Sequence, residues 1–155
     1  MTGVQTCALP IYPVEVTIVP RGPAGGLTWM SGNDNIFLTR RQAVAKLVTS
    51  MAGRAAEEVL LKGEFTQGAA GDLQAATSLA RAMVTEYGMS PLGFAQLDPE
   101  TLRMGGPVAD RVQLTVEALL QDAHEQATDL VLRHGDFLRA LATALLEEET
   151  LSLPR

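Results

Sequence analysis

Apolar residues recur at helical spacing through most of this chain, and only its first stretch breaks that rhythm. Val14-Glu-Val-Thr-Ile-Val-Pro20 is β-branched and stops at a proline, which predicts a short strand. Gly22 to Gly26 reads as a turn and Leu27-Thr-Trp-Met30 as a returning strand, so a small β-hairpin is expected near the N-terminus. After the loop Gly32-Asn-Asp-Asn35, Thr39-Arg-Arg-Gln42 matches a capping box. It opens a helix whose apolar face runs through Ala43, Leu47, Met51, Ala55 and Val59 and which ends near Gly63. A second stripe, Leu73, Ala76, Leu79, Ala80 and Met83, stops at Gly88, a left-handed terminator. Residues 89–108, with Pro91, Pro99 and Pro107, read as a long exposed loop. Beyond it, Val112, Val116, Leu119, Ala123, Ala127, Leu130 and Val131 mark a long amphipathic helix. Asp136 is expected to cap a last helix carrying Phe137, Leu141 and Leu145. These two helices, joined by His134-Gly135, are expected to fold back as an antiparallel pair. The fold class that follows is mainly α, with the stripes as plain core.

Composition agrees with that picture. The chain has 155 residues, 46% of them hydrophobic and only 5% aromatic, so its core is packed by Ala, Leu and Val. A net charge of −6 without a clustered Lys/Arg patch argues against a nucleic-acid surface. The single cysteine, Cys7, cannot form an internal disulfide and points to a reducing compartment. No apolar run reaches the length of a transmembrane helix. The phosphate-binding G-x-x-x-x-G-K-[ST] loop is missing, which excludes ATP hydrolysis by that route.

The candidate chemistry is sparse. Phe65-Thr-Gln-Gly-Ala-Ala-Gly-Asp-Leu73 delivers one carboxylate, Asp72, to the mouth of a helix. So placed, it is either an N-cap for the free amides of the first turn or a hard oxygen ligand for a metal held mainly by other residues. Spacing alone favours the cap. Glu57 and Glu58 are adjacent on a helix and point in different directions; one of them suits an ion pair with Arg54. The two histidines, His124 and His134, lie ten apart with no His-Glu pattern around them. His124 reads as an exposed helical position and His134 as a residue near a helix end. The segments Val16, Thr17, Ile18, Val19 and Gly26, Thr28 read either as an ordinary hairpin packed on helices or as an exposed strand edge. Such an edge can hold an extended peptide by main-chain hydrogen bonds.

Four motifs occur in order: Val16-Thr-Ile-Val-Pro-Arg-Gly22, Gly53-Arg-Ala-Ala-Glu-Glu58, the Phe65–Leu73 segment with Gln74-Ala-Ala-Thr-Ser-Leu-Ala-Arg81, and Glu148-Glu-Thr-Leu151. Together they resemble the peptidase domain of the FtsH family of ATP-dependent zinc metalloproteases, from about Pro13 to the end of the chain. The resemblance implies that Asp72 is the third zinc ligand and that Glu57 orients a zinc-bound histidine. It also implies a strand edge at Val16–Val19 and at Gly26 and Thr28 that takes unfolded polypeptide substrates. The parent it implies is a homo-hexamer, membrane-anchored with its peptidase on the cytoplasmic face, whose ATPase module binds ATP. The other two zinc ligands in that family come from an H-E-x-x-H helix placed shortly before the first motif, and this chain contains no such motif. In its place stands Met1-Thr-Gly-Val-Gln-Thr-Cys-Ala-Leu-Pro-Ile-Tyr12, which lacks helical period and a basic n-region. Residues 1–12 are therefore expected to be a leader foreign to the domain, residues 13–155 a partial peptidase domain, soluble by itself and inactive as it stands. The alternative is a non-catalytic helical assembly module in which Asp72 is only a cap.

Overall fold

A computed structural model describes residues 13–22, 25–31 and 37–152. These fall into two compact units: Leu38–Arg133, and the described parts of Met1–Phe37 with His134–Arg155. The expected leader, residues 1–12, and the loop at residues 32–36 lie outside the described residues.

The first unit is helical. Helix α1 spans Arg40–Leu60, α2 Ala70–Thr85, α3 Pro99–Arg103 and α4 Pro107–Arg133. The capping box at the start of α1 is formed: the Thr39 Oγ1 accepts from the Gln42 N–H at 3.3 Å, and the Gln42 Oε1 accepts from the Thr39 N–H at 2.9 Å. Both bonds satisfy amides that the first helical turn leaves without partners. The buried face of α1 is Ala43, Leu47, Met51 and Ala55, an unbroken i, i+4 row. It packs chiefly on α4 through Val112, Val116, Ala123 and Ala127, and on α2 through Ala76, Ala80, Met83 and Val84. So much alanine at the contact lets helix backbones approach closely, which is how a chain poor in aromatics still closes its core. Of the α4 stripe, Leu119 and Val131 are half-buried and Leu130 is exposed.

Residues 89–108 are more ordered than expected. Ser90 and Gly93 form an isolated bridge, and the Leu97 N–H donates to the Thr85 carbonyl at 2.9 Å. Asp98 caps α3 by accepting from the Thr101 N–H at 3.0 Å. Met89, Leu92, Leu97 and Leu102 pack against the core. Pro99 and Pro107 open helices instead of interrupting them, because a first helical residue needs no N–H. Gly88 has φ +60°, as a left-handed terminator requires, and a Cβ there would also press to 3.4 Å from the Phe94 Cα.

The second unit contains a three-stranded antiparallel sheet and helix α5, Gly135–Glu148. Strand β1, Pro13–Thr17, pairs with β2, Leu27–Met30, as the hairpin predicts. It also pairs with β3, Thr150–Ser152, with Val16 opposite Leu151 and Thr17 opposite Thr150. The sheet order is β2-β1-β3, so β1 is central. Thr17 is 2% exposed, yet its hydroxyl is satisfied: it donates to the Glu149 carbonyl at 3.2 Å and lies 2.7 Å from the Thr150 Oγ1. At Gly26 a Cβ would stand 2.8 Å from the Thr17 carbonyl oxygen, so only glycine fits the hairpin there. Helix α5 packs on β3 and ends at Glu149, which adopts the left-handed conformation at φ +59°. The antiparallel pair expected of α4 and α5 straddles the two units. Each helix packs within its own unit, and the pairs that build the core are α1 with α4 and α1 with α2.

Leu47 is 1% exposed, and Leu47→Ala is expected to cost about 3 kcal/mol in urea unfolding through lost burial and a cavity. Gly88→Ala, forced to keep a positive φ, is expected to cost about 1 kcal/mol in the same measurement. Equal stability of either variant to the parent chain would contradict the packing described.

Candidate functional site

Asp72 is not an N-cap. A 3-10 turn over Gln67–Ala69 runs directly into α2, so the helix starts three residues earlier than the stripe suggests. Ala69 occupies the cap position without a side-chain bond, and Asp72 falls inside the first turn. There its charge suits the positive end of the helix dipole. Its side chain is exposed, and among the described residues it accepts no hydrogen bond.

The turn that carries Asp72 is held by Glu57. Near the C-terminus of α1, its Oε2 accepts from the Thr66 backbone N–H at 2.8 Å and its Oε1 from the Thr66 hydroxyl at 2.8 Å. The Thr66 Oγ1 in turn accepts from the Gly68 N–H at 3.1 Å. The Thr66 N–H bond is the main reason the Glu57 carboxyl titrates below its ordinary range; the Thr66 hydroxyl and Arg54 act in the same direction. Each carboxylate oxygen has a second acceptor direction, so this clamp leaves room for the imidazole contact that the family resemblance implies.

Glu58 takes the other direction around the helix. Its Oε1 meets the Arg54 Nε at 2.6 Å, the i, i+4 ion pair expected from sequence. Its Oε2 lies 2.9 Å from the His124 Nε2, off the N–H axis, so this is an electrostatic contact rather than an aligned hydrogen bond. The Arg54 bond is the largest cause of a lowered Glu58 carboxyl, partly offset by burial. His124, expected on an exposed helix face, is half-buried, because α4 turns it onto α1. His134 is the one residue separating α4 from α5; it is exposed and stands at the cap position expected for Asp136 without a side-chain bond, while Asp136 falls inside the first turn. The Arg54 guanidinium carbon also stands 3.2 Å from the centre of the Phe65 ring. Sequence reading missed Thr66 and Phe65 as partners, since their contacts depend on where the turn after α1 lands.

A groove of about 430 Å³ borders this cluster, lined by Met51, Arg54, Glu58, Leu73, Glu117 and His124 among others. A larger hollow of about 750 Å³ lies against Ser78, Arg81, Glu86, Asp98 and Arg103 and contains none of the candidate residues. Among the described residues no three His, Cys, Asp or Glu side chains converge on one point. A tetrahedral zinc site needs more than one carboxylate, so this donor set does not hold zinc by itself.

On the sheet, the strand-edge expectation changes place. Val16 and Thr17 lie in the central strand, bonded on both sides. The Ile18 N–H donates to the Glu149 carbonyl at 2.9 Å, and the Val19 N–H to the Thr17 Oγ1 at 3.2 Å. β3 pairs with β1 on the side away from the hairpin. Among the described residues β2 is the outer strand on the hairpin side, and Thr28 on it is exposed; Gly26 serves the close approach to Thr17.

No helix among the described residues is long and apolar enough to cross a membrane. The model of peptidase family M41 matches residues 9–155, starting ahead of the Pro13 boundary expected from the motifs. The chain is similar to ATP-dependent zinc metalloprotease FtsH 4 of Sorangium cellulosum, 40% identical over 153 residues, which cover 88% of this chain and 23% of that protein. It is 39% identical over 156 residues to the chloroplastic FTSH 6 of Arabidopsis thaliana, covering 90% of this chain and 23% of the relative. With the FtsH of Corynebacterium glutamicum it shares 41% over 154 residues, 90% of this chain and 18% of that protein. The chain thus spans under a quarter of the length of these relatives. The helical core, the turn leading to Asp72 and a match over nearly all of its length agree: this chain belongs to peptidase family M41.

Proposed function

We propose that residues 13–155 are the C-terminal part of an ATP-dependent zinc metalloendopeptidase, in which Asp72 gives zinc one carboxylate ligand. The observation that carries this reading is the state of Asp72: exposed, without a partner among the described residues, and set on a turn that Glu57 holds from α1. The remaining ligands belong, in this proposal, to an H-E-x-x-H helix outside residues 13–155, and the chain without it is inactive. Bound zinc would polarise a water for attack on a peptide carbonyl. The contribution of this chain's own residues is narrower: Asp72 offers the oxygen, and Glu57 keeps its turn in place and has a free acceptor direction for a ligand imidazole.

Unfolded polypeptides are the proposed substrates, held as an added strand on the outer edge of β2, Leu27–Met30. The names of the relatives support ATP dependence, which the proposal assigns to a module outside this stretch. A homo-hexameric, membrane-anchored parent with the peptidase on the cytoplasmic face belongs to the same proposal.

The test is an extended chain carrying an H-E-x-x-H helix ahead of Val14, assayed for zinc content and casein degradation. Asp72→Ala is expected to remove both together. Retention of both would end the assignment of Asp72 as a zinc ligand. In the same extended chain, Glu57→Gln is expected to weaken zinc binding by roughly 10–100-fold. For the 155-residue chain, the direction of the Glu57 and Glu58 shifts sets a pH dependence. Both carboxyls are lowered in the fold from an ordinary value of 4.5, so their contribution is complete above that pH and is lost as pH falls through the depressed folded values. The thermal midpoint should drop as pH falls below 4.5, and the drop should be shallower in Glu57→Gln.

A further inference from the structure

We propose that Arg54 is a positioning residue for Asp72: its guanidinium latches the Phe65 ring and so pins the Phe65–Gly68 turn to α1. This rests on the metal-ligand reading of Asp72. Two tethers fasten that turn. Glu57 holds Thr66 through main chain and hydroxyl, and Arg54 lies over the neighbouring ring at 3.2 Å. Arg54 is itself fixed. Its Nε is bonded to the Glu58 Oε1 at 2.6 Å, and the other oxygen of Glu58 faces the His124 Nε2 at 2.9 Å, so the guanidinium plane is set from both α1 and α4. Phe65 is half exposed and is not among the buried residues of the core, so the cation is what gives the ring a fixed seat. From Phe65 the chain runs through the 3-10 turn into the first turn of α2 without a break, so the seat of the ring sets where the Asp72 carboxylate emerges. A bare ion-pair role for Arg54 would need only Glu58; the stacked ring is what ties it to the candidate ligand.

Amide hydrogen exchange in the 155-residue chain, followed residue by residue by NMR, tests the latch without metal or activity. Arg54→Met and Phe65→Leu are each expected to speed exchange of the Thr66 and Gly68 amides by about tenfold. The double variant should be no faster than either single, since both remove one contact. Phe65→Tyr, which keeps the ring, should leave the rates unchanged. The Leu47 and Met51 amides should keep their rates throughout, which separates a loosened turn from a loosened fold. Unchanged Thr66 exchange in both Arg54→Met and Phe65→Leu would overturn the latch. In the extended chain, competition for zinc with a chromophoric chelator separates this inference from the reading beneath it. If Asp72→Ala leaves zinc affinity intact, the ligand assignment fails, whatever exchange reports. If Asp72→Ala abolishes zinc binding while Arg54→Met leaves it unchanged, Arg54 does not position the ligand.

Discussion

Everything in the helical unit hangs on the stripe Ala43, Leu47, Met51, Ala55 that sinks one side of α1 between α4 and α2. Burial at every fourth residue fixes the rotation of the helix about its own axis, because any other rotation would put Leu47 or Met51 in water. Once that rotation is fixed, the directions of Arg54, Glu57 and Glu58 are fixed with it. They lie at the end of the same helix, on the flanks of the buried row, and cannot exchange roles. The division of labour between two adjacent glutamates, one on the turn and one on Arg54 and His124, is thus decided by packing some residues away.

The arrangement joins polar contacts of modest individual strength to a rigid apolar frame. Exposed ion pairs contribute little to stability, and a half-exposed stack contributes little more. Their value is geometric. Glu57 uses both of its oxygens on a single residue, which holds Thr66 in one orientation, and Arg54 restrains the preceding ring. A short 3-10 turn then transmits that orientation to α2 without an intervening loop in which it could be lost. An unpartnered carboxylate at the end of such a train can be placed accurately even though it is itself open to water.

Much of this could be read from residue spacing. The capping box at Thr39, the row on α1, the stripe on α2 and the left-handed Gly88 are local or periodic features, and local geometry is what spacing encodes. Four motifs in order pointed to the family that the match over residues 9–155 shows. What escaped was tertiary. His124 looked solvated because its neighbours in sequence are polar, while Glu58, its partner in space, lies on another helix. The segment 89–108 looked like loop because prolines and glycines punctuate it, yet two of those prolines, Pro99 and Pro107, start helices. Three residues are too few to show a strand period, so β3 went unseen and an edge stayed open as one reading of β1. Asp72 shows the finest limit: a shift of three residues in the start of α2 separates a capping aspartate from one inside the first turn.

The late origin of β3 has a consequence for how the chain acquires its structure. A two-stranded ribbon is marginal in water, and the buried hydroxyl of Thr17 finds the Glu149 carbonyl and the Thr150 hydroxyl as partners. During synthesis, strands made first must wait for residues made after α5, whereas Leu38–Arg133 can collapse on contacts between helices already emerged. The order of assembly is therefore inside-out along the polypeptide: the middle consolidates first, and the opening strands are sewn in by the closing ones.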